Sequence, residues 1–368
     1  MSISRLLKSM LSIALLFIIS VTTHAQVKFV NEFLNIGVGA RSHGMFGAVT
    51  ASENAATSAY WNPAGLIGLE APFQLNAMHA NWFGGLSNYD YASIAKNLNS
   101  ERKAVGAISI IRMSVDAIPN TLQLIGPDGS FNYDRITEFS ASDYAFLFSY
   151  GRALNESGSF SGGANVKIIH RSIGDFGKAW GFGADLGVKW KKSNYAVSLM
   201  ARDITTTFNT WSFNLSDEDK AVFQKTGNEI PVSSTEINLP RLVAGFAYFN
   251  TTKNFSYLFE SDLNISTNGT KSGIISSKNL AIDPSFGLEL GYINKVFLRA
   301  GLGNIQRVIN PENTENTKTE FQPNIGLGLV LGRLRIDYAL ANVGSVSGVL
   351  SSHIFSVSLD FVKRKNPS

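Results

Sequence analysis

Side chains that could perform catalysis or bind a metal are widely scattered along this chain of 368 residues. Beyond residue 25 the histidines are His43, His79, His170 and His353, and none stands three or four residues from a carboxylate, as helical metal ligands do. The chain has no cysteine, which excludes thiolate metal sites, disulfide bonds and a lipid-anchored lipoprotein. It also lacks a phosphate-binding glycine-lysine loop and a nucleophile elbow. These observations predict a protein that is not an enzyme and holds no metal or other cofactor.

One glycine-rich stretch, Gly181-Phe-Gly183-Ala-Asp-Leu-Gly187, superficially resembles a dinucleotide-binding loop. Its last spacing is wrong, and it lies inside a predicted strand instead of between a strand and a helix. We therefore interpret it as part of a strand.

Charged residues recur on one face of segments in which apolar and polar side chains alternate. They are Lys167, Asp185, Lys189, Glu260, Asp262, Arg299, Arg335, Asp337 and Asp360. On a lipid-facing surface near the middle of a membrane, each basic residue would cost about 2–4 kcal/mol. Inside a lumen the same residues can pair with one another or contact water. The pattern favours a structural network inside a barrel, and a dedicated substrate-binding site is the alternative.

The elements that would position these charges are fourteen alternating segments of roughly ten residues each. In one of them Phe182 and Leu186 share one face, whereas Asp185 and Lys189 share the other. The predicted strands are 72–83, 88–98, 102–114, 140–151, 158–171, 178–190, 194–204, 238–249, 253–264, 282–293, 295–304, 321–331, 333–341 and 350–362. The sequence thus predicts an all-β fold, a 14-stranded antiparallel transmembrane β-barrel at 71–362 with a periplasmic tail at 363–368.

The connections between these strands alternate in length. The long ones, 115–139, 205–237, 265–281 and 305–320, all occupy odd positions in the series, and tight turns occupy the even positions. Short turns at one rim and long loops at the other are typical of outer-membrane barrels. Aromatic residues at segment ends also suit a lipid interface, namely Trp82, Tyr150, Trp190, Tyr248, Tyr292 and Phe361.

Residues 1–25 have the features of a secretory signal peptide, because Arg5 and Lys8 precede a short apolar run that ends in small residues. An N-terminal membrane anchor is the alternative, although the run is short for a spanning helix. Removing the signal leaves a formal charge of 30 − 28 = +2, without a basic cluster that would bind nucleic acid. We expect a cell outer-membrane protein with both termini in the periplasm, in contact with membrane lipid and lipopolysaccharide.

The stretch from Phe33 to Leu66 is rich in glycine and alanine and has too few large apolar side chains to fold alone. It ends in Tyr60-Trp61-Asn62-Pro63-Ala64-Gly65-Leu66, where Asn62 can close an Asx turn and Gly65 can adopt a positive φ. Trp61 could anchor this turn on the inner wall of a barrel, and Arg41 could meet lumenal carboxylates.

We predict that residues 26–70 form a hatch inside the barrel, and a periplasmic linker is the alternative. The residues assigned to the hatch are Gly37, Gly39, Arg41, Gly44, Gly47, Tyr60, Trp61, Asn62, Pro63, Ala64 and Gly65.

The same stretch resembles the N-terminal signature of the PorV/PorQ family, a branch of the FadL-like outer-membrane barrels. The resemblance is carried by the runs at 33–41, 44–48 and 59–66. It implies a fourteen-stranded barrel with a lumenal hatch and a docking or shuttle role in the type IX secretion system of Bacteroidota. The implied partners are the type IX translocon or its secreted cargo proteins.

Two other functions stay open. Gly65 directly after Asn-Pro-Ala is compatible with a FadL-like channel for the uptake of hydrophobic small molecules, and Gly39-Ala40-Arg41 departs from the acidic pattern of PorV. A structural or assembly role in the outer membrane is the third possibility.

The loop 205–237 is the longest in the prediction. Ser216-Asp217-Glu218-Asp219 predicts a short helix, and Trp211 and Phe213 lie just before it. If both rings are exposed, they form a candidate partner-binding loop. The alternative is that they pack back over the mouth of the barrel.

Overall fold

The computed structural model describes residues 30–99, 103–125, 130–266, 275–277, 280–310, 313–343 and 351–361. The predicted signal peptide at 1–25 and the tail at 363–368 lie outside these residues. No helix in the described ranges is long and apolar enough to cross a membrane.

Within these described residues, fourteen antiparallel strands form one closed β-barrel, as the sequence predicted. The strands are β1 Phe73–Trp82, β2 Ser87–Asn99, β3 Ala104–Asn120, β4 Thr137–Ala153, β5 Phe160–Ile173, β6 Gly177–Lys192, β7 Tyr195–Arg202 with Thr207–Phe213, β8 Ser234–Asn238 with Arg241–Thr251, β9 Phe255–Ser266, β10 Ala281–Tyr292, β11 Val296–Asn310, β12 Asn313–Leu331, β13 Leu334–Ala341 and β14 Ser352–Phe361. Each strand pairs with its neighbours in sequence, and β1 pairs with β14 from Phe73↔Phe361 onward. A two-residue piece, Ile275–Ser276, pairs with the start of β10.

Strands β7 and β8 are each interrupted once. The first part of β7 pairs with Leu186–Lys192 of β6. After a bend, the second part, Thr207–Phe213, pairs with Gly177–Phe182 of the same strand. Across the bend Ile204 N–H donates to the carbonyl of Ala184, so the wall stays hydrogen-bonded there. The two parts of each strand therefore count once in a barrel of fourteen.

Alternation along the strands divides the side chains between two environments. On β6, Leu186 is 50% exposed on the outward face, whereas the neighbouring Asp185 is 4% exposed on the inward face. The charged residues that the sequence placed in the lumen lie inward in the same way, and Glu260 and Arg299 are fully buried. Trp82 differs from its prediction, because its ring packs inward, 5.4 Å from that of His43.

The predicted loops 205–237 and 305–320 contain much regular structure. The range 205–237 holds the second part of β7, the first part of β8 and an α-helix, Asp217–Lys225, which Ser216 and Asp219 cap reciprocally. The range 305–320 is a hairpin instead of a loop, with pairs such as Gln306↔Glu320. Its polar side chains do not alternate with apolar ones, which is why the period-two pattern missed it.

Residues 30–72 lie against the inward faces of the strands. This N-terminal segment contains 3-10 helices at Glu32–Asn35 and Pro63–Gly68 and short α-helices at Ala40–Gly44 and Ser58–Trp61. Its helices contact β14 and β12 on one side and β4 and β5 on the other. Its small apolar side chains are fully buried, including Val38, Ala48, Val49, Ala51 and Ala59. A segment too poor in large side chains to fold alone thus obtains its core from the strands around it.

Candidate functional site

The turn at Asn62 and Pro63 fits against a row of glycines on the wall. A Cβ atom at Gly163 would overlap the backbone of Pro63, and one at Gly151 would overlap the Pro63 carbonyl. On β6, a Cβ at Gly187 would overlap the side-chain oxygen of Asn62. Glycine is needed at Gly151 and Gly163 because backbone meets backbone there, and at Gly187 because the side chain of Asn62 fills the space.

The turn itself has the local geometry that its residue types predict. Asn62 Oδ1 accepts a hydrogen bond from Ala64 N–H at 3.0 Å, which closes the Asx turn. Gly65 serves a different purpose from the one expected: it does not adopt a positive φ, and a Cβ there would lie 2.5 Å from the carbonyl oxygen of Glu53. Close approach within the segment, not backbone conformation, requires this glycine.

Trp61 holds the N-terminal segment together from within. Its Nε1–H donates to the Val38 carbonyl at 2.9 Å. Its ring covers Gly37 and Gly47, which have φ values of 97° and 73°. Next to it, Tyr60 donates its hydroxyl to the Leu34 carbonyl at 2.6 Å. These contacts close the segment into one folded unit.

Arg41 joins the segment to the wall through buried ion pairs. Its Nη1 lies 2.8 Å from Glu53 Oε2, and its Nε lies 3.0 Å from Glu289 Oε2. Glu289 also receives Arg299 Nε at 2.6 Å, and Arg299 in turn pairs with Asp337 at 2.8 Å. Arg41 meets lumenal carboxylates, as its residue type predicts. Glu289 was not among the predicted lumenal charges, although Leu288 and Leu290 on the outward face place it in the lumen by parity.

The charges of this network favour the ionised forms of its members in the N-terminal segment. Burial disfavours the charged forms of both Arg41 and Glu53. The carboxylates of Glu289 and Glu53 nevertheless hold the pKa of Arg41 above its usual value. Conversely, Arg41 holds the pKa of Glu53 below its usual value. The pair is therefore ionised at neutral pH.

Two carboxylates of β9 hold the turn at residues 49–52. Asp262 Oδ2 accepts hydrogen bonds from the backbone N–H groups of Val49 and Thr50, both at 3.1 Å. Glu260 accepts from the N–H groups of Ala51 at 2.6 Å and Ser52 at 3.1 Å. Each of these buried carboxyl groups thus meets donors from the N-terminal segment, as buried polar groups require.

Gly39 and Gly44 complete the contacts of the segment with the wall. Gly39 N–H points at the sulfur of Met78 on β1, at 2.9 Å. A Cβ atom at Gly44 would lie 3.0 Å from the Cα of Gly326 on β12. Every residue assigned to the hatch therefore lies in this packed segment, and its role as a hatch stays a prediction.

A cavity of about 430 Å³ lies between the N-terminal segment and the upper part of the wall, on the side of the long connections. Its floor includes the aromatic rings of Phe46, Tyr60 and Trp61, with Trp82 beside them. Its wall contains Arg202, Arg241, Leu242, Val243, Asn264, Ile265, Asp283, Pro284, Ser285, Asn304, Gln322 and Asn324. Sequence patterns could not find it, because its lining comes from strand ends far apart in the chain.

Where this cavity meets β10 and β11, the ladder between the two strands ends. These strands pair only between Phe286↔Leu302 and Tyr292↔Val296. Within the described residues, Ala281–Ser285 pairs only with β9 and Ile275–Ser276, and the upper part of β11 pairs only with β12. Pro284 has no N–H group to offer to β11. Because Pro284 and Asn304 also line the cavity, it extends to the place where the two strands separate.

His43 is a neutral polar group in the floor of the cavity. Burial lowers its pKa from 6.5 to about 4, although the hydrogen bond to the Gly37 carbonyl opposes this shift. Its Nε2 lies 3.2 Å from that carbonyl oxygen. Since a carbonyl only accepts, Nε2 carries the proton and donates it.

Trp211 and Phe213 lie on the second part of β7 and not on a loop. Trp211 is only 6% exposed and donates its Nε1–H to Glu236 at 3.0 Å, with the Arg171 guanidinium 5.2 Å above its ring. Phe213 stacks on Trp211 and lines a separate apolar pocket near the helix Asp217–Lys225. The structure thus agrees with the alternative in which these rings pack back, and an exposed pair is not present.

No protein-family model matches the sequence, and no curated protein matches it. Solved structures do resemble its fold. The toluene transporter TodX of Pseudomonas putida matches with a TM-score of 0.54 at 14% identity, over 88% of this chain and 98% of that chain. The fold is that of the FadL-like barrels.

Two further structures support this fold assignment. The toluene transporter TbuX of Ralstonia pickettii matches with a TM-score of 0.52 at 12% identity, over 88% of this chain and 98% of its own. A FadL homologue of Pseudomonas aeruginosa matches with a TM-score of 0.51 at 13% identity and the same coverage. At these identities the likeness concerns the fold alone, and none of these structures is described as a type IX secretion protein.

Proposed function

We propose that this chain is an outer-membrane channel that admits small molecules with an apolar part. The observation that carries the proposal is the cavity above the N-terminal segment, which extends to the separation between β10 and β11. A ligand that enters from the side of the long connections would meet the aromatic floor and find an exit through the wall. The likeness to toluene transporters supports the same class of function.

A sharp boundary on the outward face supports the membrane location. One cross-strand row is entirely apolar and consists of Ala77, Ala92, Ile110, Phe146, Ile168, Phe182, Phe208 and Ile237. The next row consists of His79, Asp90, Arg112, Tyr144, His170, Trp180, Thr210 and Thr235. On each of these eight strands, a charged, polar or amphipathic group thus follows an apolar one two residues further along. Such an edge suits the interface between lipid chains and the head groups of membrane lipid or lipopolysaccharide.

The type IX docking role is a second candidate, favoured by the sequence motif and its packing. The motif residues Asn62, Pro63 and Gly65 each fill a close contact that their types explain. Purification from native membranes would recover a translocon component or secreted cargo if this role is correct. Recovery of the barrel alone would speak for the channel.

The channel proposal can be tested by blocking the cavity at the place where β10 and β11 separate. Ser285 is buried and lines the cavity, so Ser285→Trp should fill it where β10 and β11 separate. We expect entry of radiolabelled toluene into cells at limiting concentration to fall to the level of cells without the protein. Equal entry in cells with the Ser285→Trp variant and the unaltered chain would refute the proposed route.

Leu288→Trp is the matched control. Leu288 lies on the same strand but is 56% exposed on the outward face, so its replacement leaves the cavity unchanged. Both variants should insert as heat-modifiable barrels, which separates a blocked cavity from a failure to fold.

A further inference from the structure

Two arginines lie side by side in the wall of the cavity without a carboxylate of their own. Arg202 at the end of the first part of β7 is the direct cross-strand partner of Arg241 on β8. Both side chains line the cavity. Like charges directly opposite each other on a sheet are unfavourable, so this arrangement needs a compensating feature.

The surrounding acids compensate these charges only in part. Asp185 and Asp203 are the carboxylates near this end of β7, and both are ion-paired with the buried Lys167. Within the described residues, neither arginine forms an ion pair at 4.0 Å or less. Asp283 also lines the cavity, but it is two strands away from Arg241, so two arginines and one aspartate give the lining a formal charge of 2 − 1 = +1.

Each arginine also retains an unused donor. The Nε–H groups of Arg202 and Arg241 are buried, and neither has a hydrogen-bond partner among the described residues. The remaining contacts of the pair are with neutral groups: Arg202 reaches the Tyr60 carbonyl at 3.3 Å, and Arg241 reaches Asn35. Guanidinium groups with free N–H donors are suited to binding a planar carboxylate.

The rest of the cavity selects the body of the ligand. Arg202 lies 4.5 Å from the ring centre of Tyr60 and 5.8 Å from that of Trp61. Trp82 and Phe46 complete an aromatic surface beside the two arginines. A cavity of about 430 Å³ suits a compact ligand, near the lower limit of ordinary small-molecule pockets.

We propose that Arg202 and Arg241 form an anion subsite that binds the carboxylate of a small aromatic acid, whose ring lies on the aromatic floor. This inference rests on the proposed channel for its biological purpose, but the binding itself is independent of passage. A hydrocarbon in the same cavity would leave both cations unpaired, so the subsite favours aromatic acids over hydrocarbons.

The test is binding of benzoate to the purified full-length barrel in detergent at neutral pH, measured by calorimetry. Benzamide has the same shape without the charge, so we expect its affinity to be lower than that of benzoate by a factor of about ten or more. Arg241→Gln should weaken benzoate by about tenfold and leave benzamide unchanged, and Arg241→Lys should recover part of the loss. Equal affinity for benzoate and benzamide, or an unaffected Arg241→Gln variant, would overturn the proposal.

Arg171→Gln is the matched control, because Arg171 is inward-facing and paired with Asp143 but does not line the cavity. It should bind benzoate as the unaltered chain does. Laurate provides the third probe: tighter binding of laurate than of benzoate would overturn the aromatic part of the assignment.

The two proposals can fail separately. A barrel that binds benzoate but does not speed the entry of toluene or benzoate into cells would contradict the channel and leave the anion subsite intact. A barrel that admits toluene but does not bind benzoate would contradict the subsite alone.

Discussion

Pro63 in the N-terminal segment lies directly on the backbone of Gly163 in β5. A Cβ atom at Gly163 would overlap the carbonyl carbon of Pro63 and the nitrogen of Ala64. The neighbouring Gly162 points outward, where a Cβ would lie 3.0 Å from the flexible end of Leu154. Gly163 thus faces rigid backbone, whereas the adjacent Gly162 faces a flexible side chain.

Gly163→Ala should therefore loosen the N-terminal segment, whereas Gly162→Ala should be tolerated. Overpacking of a rigid contact costs about 1–3 kcal/mol. We expect faster proteolytic cleavage within residues 30–72 and a lower denaturant midpoint for Gly163→Ala only. Equal protease resistance of the two variants would show that this contact does not hold the segment.

Removal of the charge of Glu289 should destabilise the protein more than removal of an exposed ion pair. Glu289 is shared by Arg41 and Arg299, and Glu289→Gln leaves these buried cations with one carboxylate each, at a cost of about 3 kcal/mol. Asp90→Asn is the control, because Asp90 pairs with His79 and Arg112 on the exposed outward face. Exposed pairs contribute about 1 kcal/mol or less, so its unfolding free energy should change little.

Acidification should destabilise the packed segment through His43. The pKa of this histidine is 6.5 in its ordinary state and about 4 in the fold, because burial opposes its charged form. Between these values the unfolded state binds more protons than the folded one, so stability is fully present above pH 6.5 and falls as the pH drops towards 4. The full loss is about 3 kcal/mol.

The measurement is the unfolding free energy between pH 7 and pH 5, which covers the upper part of the interval between the two pKa values. Glu53 has a lowered pKa, so its contribution is lost only as the pH falls below the ordinary value of 4.5 and does not overlap this window. His43→Gln should flatten the profile from pH 7 to pH 5. A profile that stays equally steep in this variant would assign the pH dependence to other groups.

The sequence reveals the parts of this fold that depend on local alternation. Fourteen strands follow from period-two patterns, and the inward position of Asp185 follows from its neighbours Ala184 and Leu186. The polar hairpin of β11 and β12 does not, because a strand outside the lipid band has no need of apolar side chains on one face.

The site depends on contacts that no local pattern encodes. The close contact of Pro63 with Gly163 joins residues one hundred positions apart, and the pairing of Arg202 with Arg241 requires the register of strands that lie on both sides of a predicted loop. Residue types indicated that Arg41 would need carboxylates. Only the three-dimensional arrangement identifies Glu289 and Glu53 as those carboxylates.

We expect the N-terminal segment to stay in place when a ligand enters the cavity. Its turn at 49–52 is held by four hydrogen bonds to Glu260 and Asp262, and displacement would leave both carboxylates buried without donors.

Ser198 on β7 donates its hydroxyl to Thr50 Oγ1 at 3.0 Å, so cysteines at these two positions would place their sulfur atoms close together. Since the chain has no other cysteine, a Thr50→Cys, Ser198→Cys variant can be locked by oxidation alone. We expect toluene entry and benzoate binding to be the same in the oxidised and reduced protein, with each single variant as control. Entry that is lost on oxidation and restored by a reductant would show instead that the segment moves, and that ligands pass beneath it.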